Sequence, residues 1–168
     1  MNYIIECDNS VNIGFIRESH LKNMLKIYNS YNVRFAIGNE RITSLHDMKK
    51  KYLLNVKNEA FNYCIFKYKK VIGVISGVLE NKKKSVWIKI FLLEEKFCNR
   101  GIGSNVLYEI EKKLRDSDFK IIYISVLKEN VLGLNFWNKS GYKPIVVKNN
   151  ENDLLKNKNY LILYKKLV

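Results

Sequence analysis

FCNRGIGSNVLYEIEKKL, residues 97–114, joins two kinds of pattern. Its first part is a polar turn carrying Gly101 and Gly103; its second spaces Leu107, Ile110 and Leu114 along one face of a helix. The strand-like run SVWIKIFLL (85–93) comes before it, and the β-branched run KIIYISVLK (120–128) comes after. Strand, helix, strand in that order implies a right-handed crossover with the two strands parallel. Glycines just before a helix also suit phosphate, because the helix's first N–H groups converge on an anion and glycine lets the chain come close.

Three phosphate-binding devices compete for this turn. A P-loop needs a Lys-Ser/Thr pair after its second glycine, and none follows at that spacing. A dinucleotide fingerprint needs a third glycine where Val106 stands. It also needs parallel βαβ units, whereas an antiparallel meander precedes this loop. A main-chain N–H cradle needs only what is present. A tight strand-to-helix turn with no ligand is the plainer alternative, and the glycines alone do not separate the two.

Outward from the loop, NYCIFKY, VIGVISGVLE and SVWIKIFLL read as an antiparallel meander, with turns at Lys69-Lys70 and NKKK. Toward the start, YIIEC (3–7) is a short strand, and Leu21, Met24, Leu25 and Tyr28 share a helix face. SLHDMKKKYLLNV is a second helix, with Ser44 and Asp47 as its capping box and Leu45, Met48 and Tyr52 on one face. Toward the end, ENVLGLNFWNKSGY is a short helix that Asn130 caps and Gly141 stops. YKPIVVK and YLILYKKLV close the chain as a hairpin, the last strand lying exposed at an edge where a dimer or protective lysines could cover it. The expected class is α+β, a mixed, mostly antiparallel sheet of about seven strands with about four helices. Without repeats, linkers or low-complexity tracts, residues 1–168 read as one domain.

The net charge of +14 comes from 25 lysines and only 5 arginines, alongside 21 asparagines, a skew that AT-rich codons alone produce. It favours anionic ligands, but the lysines are scattered in short runs rather than gathered in the arginine-rich stripe of a nucleic-acid binder. No apolar run approaches the ~20 residues of a membrane helix. MNYIIECDNS lacks the pattern of a signal peptide, so a cytoplasmic location is expected. Cys7, Cys64 and Cys98 form no CxxC pair and read as free thiols; with only His20 and His46 to help, no metal site is expected.

The second half of the chain narrows the choice. Asn130, Gly133, Phe136, Trp137, Lys139, Gly141 and Tyr142 follow the glycine pair by some thirty residues. Together they resemble the paired motifs of the GNAT superfamily of acetyl-CoA-dependent N-acetyltransferases, with a motif-level match over about residues 85–142 and agreement in element order over nearly the whole chain. The resemblance implies that the fourth and fifth strands (SVWIKIFLL and KIIYISVLK) are parallel and splayed. Pantetheine then fills the gap as a pseudo-strand on the main chains of Phe91 and Leu93. It implies a pyrophosphate on the N–H groups of Asn99, Arg100, Gly101, Ile102, Gly103 and Ser104. Asn130 would bond the pantetheine arm, within the helix that also supplies Gly133 and Phe136. Lys139 is either a cation near the nucleotide's phosphate or a solvated helix lysine. Cys98 stands where the family usually has Arg or Gln.

The family's reaction is direct attack by a neutral amine on the thioester, with main-chain N–H groups near Leu93 polarising the carbonyl. Two familiar side chains are missing. Trp137 occupies the place of a tyrosine acid, and indole cannot deliver a proton to sulfur, so packing beside the thioester is its expected role. Lys89 occupies the place of a strand-four glutamate, while Glu94 and Glu95 fall in the following loop. Glu40 and Glu80 are candidate bases, Tyr142 is a candidate acid, and proton removal through water competes with them. The family recognises its acceptor with the first helices and their connection, where Tyr31, Arg34 and Arg41 lie. Two arginines there point to an anionic acceptor, since Arg grips carboxylate or phosphate in a fork, or are ordinary loop charge. An amino-sugar nucleotide, an amino acid and a protein N-terminus are all candidate acceptors. Beside an active enzyme stand two other readings: a catalytically silent CoA-binding or regulatory module, and a basic nucleic-acid-binding domain.

Overall fold

The computed structural model describes residues 3–7, 10–38, 41–54, 59–145 and 159–167. Its strands are β1 (Tyr3–Glu6), β2 (Val11–Phe15), β3 (Ala60–Lys67), β4 (Lys70–Glu80), β5 (Ser85–Leu93), β6 (Ile121–Leu127), β7 (Lys143–Pro144) and β8 (Tyr160–Lys166). Its helices are α1 (Leu21–Tyr28), α2 (Tyr31–Ala36), α3 (Leu45–Lys49), α4 (Ile102–Asp116) and α5 (Val131–Lys139). The strands form one sheet in the order β1-β2-β3-β4-β5-β6-β8-β7. Every neighbouring pair is antiparallel except β5 and β6, which run parallel as the crossover through α4 requires.

The mixed α+β class and the parallel central pair agree with the sequence. Two elements exceed it. VNIGF forms β2, a strand that Asn12 and Gly14 disguise, although Val11 and Ile13 are fully buried. YNVRFA forms α2 inside the expected loop. One expectation is corrected: β8 is not a free edge. It pairs with β6 along its whole length and takes β7 on its other side at Leu163 and Tyr164. The turn between β3 and β4 also falls one residue earlier, at Tyr68 and Lys69, both in the left-handed region.

Each face of the sheet buries its own apolar cluster. On one face α4 and α5 cover Ile88, Ile122, Ile124 and Val126 with Val106, Leu107, Ile110 and Trp137. On the other, α1, α3 and the wider helical turn Lys50–Leu54 that follows it set Leu21, Met24, Met48 and Tyr52 against Cys64, Phe66 and Val74. The spacing that marked α1 as amphipathic therefore faces the core, with Leu25 only partly buried; on α3, Leu45 turns outward. The Ser44–Asp47 capping box forms as expected: Ser44 Oγ accepts from the Asp47 N–H at 3.1 Å, and Asp47 Oδ2 accepts from the Ser44 N–H at 3.1 Å. No described helix is long and apolar enough to cross a membrane.

Candidate functional site

β5 carries one residue more than its partner can match. Ser76 of β4 pairs with Ile90 and Gly77 pairs with Ile88, so Lys89 is the extra residue of a β-bulge. Pairing between β5 and β6 stops at the same level, at Ile88 and Ile124. A bulge bends its strand and increases its twist. Beyond it β5 stays with β4 as far as Leu93, while β6 stays with β8 as far as Leu127, and a fork opens between them.

The groups facing the fork follow from strand alternation. Glu94 donates its N–H to the Ile72 carbonyl at 2.7 Å, on the β4 side. Leu92 and Ile90 share that direction, and the main chains of Phe91 and Leu93 turn the other way, into the fork. At its open end lies the loop that begins the crossover. Asn99 and Gly101 both adopt left-handed backbone, with φ of 57° and 75°. Gly101 precedes α4 without any side-chain cap, and the first helical bond is Asn105 N–H to the Gly101 carbonyl at 3.0 Å. Among the described residues, the N–H groups of Asn99 through Ser104 have no acceptor. Six donors at the positive end of a fifteen-residue helix form a cradle for an anion. The cradle and the unpaired strand groups together suit a long ligand with a phosphate end and an amide-rich arm, the chemistry of coenzyme A.

An aromatic cluster supports the fork from the α4/α5 face. Phe91 lies 5.7 Å from Phe136 and 5.8 Å from Trp137, and Trp137 meets Tyr142 edge-on at 4.9 Å. A Cβ on Gly103 would sit 3.2 Å from Phe136 Cε2 and 3.6 Å from Leu93 Cδ1, so this position fits a glycine closely. Asn130 caps α5 by accepting from the Gly133 N–H at 2.9 Å and donates to the Ala36 carbonyl at 3.4 Å, tying α5 to α2. Lys139, Arg100 and Cys98 are exposed, and partial desolvation of the Cys98 sulfur within its loop, then the Glu95 charge, holds the thiol up in pKa.

On the opposite face, among the described residues, side chains of β5 and β6 floor the fork. Trp87 of β5 stacks on Tyr123 of β6 at 5.0 Å, and Lys89 Nζ sits 5.0 Å above the Trp87 ring. Beside this floor, under α1 and α3, Tyr28 and Tyr52 share a hydroxyl–hydroxyl bond, and Ser76 also bonds Tyr52. Burial above all raises the pKa of both tyrosines, which keeps them protonated. At the far end Gly38 closes over Leu127 and Tyr160, following α2, on which Tyr31 is exposed and Arg34 is half-buried; Arg41 lies exposed beyond.

The candidate acids and bases fare differently. Glu80 pairs with Ser85 at the start of β5, four residues or roughly 13 Å of strand from Lys89, and there it binds Lys83 and the Ser85 hydroxyl. Its carboxylate is thus engaged by neighbours on its own hairpin. Tyr142 is only 2% exposed and donates to Glu111 Oε1 at 3.0 Å, and burial followed by the Glu111 charge drives its pKa up. A hydroxyl so placed holds its proton within the core. Glu40 lies outside the described residues. Among those residues no cluster of His, Cys, Asp or Glu is arranged to hold a metal. The sequence alone showed neither the bulge nor the Tyr28–Tyr52–Ser76 chain, since each depends on which strands and helices become neighbours.

This sheet, with its forked parallel pair and its cradle at a helix start, defines an acyltransferase architecture. The acetyltransferase (GNAT) domain family matches residues 13–161, and the chain belongs to that family, whose members take acetyl groups from acetyl-CoA to amines. Solved structures agree in fold. An acetyltransferase from Thermus thermophilus superposes with a TM-score of 0.78 at 15% identity, covering 96% of this chain and 99% of that one. The PaiA N-acetyltransferase of Thermoplasma acidophilum, in complex with coenzyme A, gives 0.71 at 18% identity over 94% and 99%. A spermidine N-acetyltransferase from Vibrio cholerae, in complex with CoA and spermine, gives 0.76 at 12% identity over 95% and 97%. No protein of curated function matches the sequence.

Proposed function

We propose that this single domain transfers the acetyl group of acetyl-CoA to the primary amine of a small acceptor by direct attack within a ternary complex. The observation that carries the reading is the set of six unpartnered N–H groups, Asn99 to Ser104, at the mouth of the β5–β6 fork. These donors would hold the pyrophosphate, while the fork-facing main chains of Phe91 and Leu93 would pair with the pantetheine arm. Phe136 and Trp137 would wall the arm on the α5 side. Leu93 and Lys89 are four residues apart, roughly 13 Å of strand. An arm entering from the loop therefore carries its thioester past Leu93 toward the apex, where the Phe91 N–H becomes the better-placed donor to the carbonyl oxygen. The Asn130 amide is committed to Gly133 and Ala36, so its part is to position α5 rather than to grip the arm.

The acceptor would enter on the open face, over Trp87, Tyr123 and Lys89. Its amine nitrogen bonds to the acetyl carbon as the C–S bond breaks, and the proton it loses passes through water to the departing sulfur. Water fits that role because Glu80 is held by Lys83 and Ser85 and Tyr142 is bound to Glu111. An active enzyme is favoured over a silent module because the chain belongs to the acetyltransferase (GNAT) domain family. A cytoplasmic location suits acetyl-CoA supply and reduced Cys7, Cys64 and Cys98. The test pairs melting with turnover. Acetyl-CoA at about 100 times its Kd adds about 2.7 kcal/mol, or roughly 5–10 °C in Tm for a chain of this size. Free thiol should then appear with at least one amine of a broad panel. No stabilisation at millimolar acetyl-CoA would overturn the reading of the cradle, and stabilisation without thiol release would favour the silent module.

A further inference from the structure

We propose, building on the acetyl-transfer reading, that Lys89 selects the acceptor by binding a carboxylate or phosphate that the acceptor carries close to its amine. The bulge places this side chain at the apex of the fork on the open face, where the amine must approach. Its ammonium is not spent elsewhere: none of the ion pairs among the described residues involves Lys89. Glu94, beyond the far end of the strand, is engaged by Lys96 at 2.7 Å and Lys70 at 4.0 Å. Trp87, fixed by its stack on Tyr123, sits under the ammonium at 5.0 Å and steadies it without neutralising it. A cation that forms no ion pair among the described residues, set beside an amine nucleophile, has a direct chemical consequence. It repels a polyammonium acceptor and attracts a zwitterion. The acceptor class is therefore a small amino compound with one anionic group, of the amino-acid or aminoalkyl-phosphate type, rather than a polyamine.

The experiment uses the full chain with acetyl-CoA and measures thiol release for matched pairs. α-Amino acids are compared with their primary amides, and aminoalkyl phosphates with the corresponding amino alcohols, so the two arms tell carboxylate from phosphate. The anionic member of at least one pair should have the lower KM. Lys89→Gln should raise that KM about 10- to 100-fold, the loss expected for one charged hydrogen bond. The neutral partner's KM should move less than about twofold, the KM for acetyl-CoA should stay constant, and Lys89→Arg should retain the preference. Equal loss on both members of a pair, or a polyamine as best acceptor with Lys89→Gln silent, overturns the inference while leaving acetyl transfer intact. Absence of both CoA stabilisation and thiol release overturns the acetyl-transfer reading and this inference with it.

Discussion

Tyr142→Phe separates a structural hydroxyl from a catalytic one. In the wild-type protein the Tyr142 hydroxyl donates to Glu111 Oε1 at 3.0 Å, and Lys165 Nζ reaches Glu111 Oε2 at 2.6 Å. Glu111 is 4% exposed, so phenylalanine leaves one oxygen of a buried carboxylate without its donor. A hydrogen bond to a charged group is worth about 1.5–3 kcal/mol. At 2–4 °C per kcal/mol for a chain of this length, Tm should fall by roughly 3–12 °C. In a Glu111→Gln background the same substitution should cost less, because the shared charge is gone. The alkaline limb supplies a second readout. Folding raises the Tyr142 pKa, so above about pH 10 the unfolded chain releases a proton that the folded chain keeps, and stability falls as pH rises. Tyr142→Phe should flatten part of that decline in melts followed by circular dichroism. With the amine that works best, kcat at 25 °C should change less than about twofold. A hundredfold fall in kcat with Tm moved by less than 1 °C, about the scale of a fraction of a kcal/mol, would refute the structural role and return Tyr142 to the departing sulfur.

Two further perturbations probe the cradle and the helix-side core. Gly103→Val pushes branched carbons toward Phe136 and Leu93, where a Cβ alone would already come within 3.2 Å and 3.6 Å, and should raise the Kd for CoA more than about 100-fold, over 2.7 kcal/mol, while Cys98→Gln leaves it intact. Unchanged CoA affinity in the valine variant, measured by calorimetry, would refute the assignment of this loop. His20, buried against Phe66 and accepting the Arg17 N–H at 3.1 Å, has its pKa lowered first by burial and then by the Arg17 charge. The unfolded chain therefore takes up a proton near pH 6.5 that the folded chain refuses. Stability should be full above that pH and fall below it, and His20→Gln should flatten the slope; an identical pH profile in the variant would refute this.

What the sequence made legible was local. The Leu107, Ile110 and Leu114 face, the Ser44–Asp47 box and the Asn130 cap are each contained within a dozen residues, and each appears as expected. What escaped was set by distant partners. The run WIKIFLL reads as unbroken strand, and only the count against Ser76 and Gly77 shows Lys89 to be supernumerary. Glu80 and Leu93 belong to one hairpin, yet antiparallel pairing sends them to opposite ends. Tyr142 looked like a residue just past a helix end, whereas its hydroxyl's fate depends on Glu111, 31 positions away.

The bulge also explains why fold and chemistry are hard to separate in this chain. Two strands that stayed parallel and paired past Ile88 would consume the main-chain groups of Phe91 and Leu93 within the sheet, leaving no strand-like partner for an amide-rich arm. One extra residue bends β5 out of that pairing, and the side chain of that residue is the charge at the apex. β4 tolerates the bend because Gly73 and Gly77 bring it against the Leu92 and Trp87 carbonyls, where any Cβ would collide with main chain. Removing Lys89 from the strand would therefore do more than delete a charge. It would shift the register by one, exchange the faces of the residues on one side of the bulge, and force either Trp87 or Phe91 off the cluster it now completes. A charge substitution at Lys89 is thus the cleaner probe: it keeps the residue that opens the fork and changes only what the fork presents to the amine.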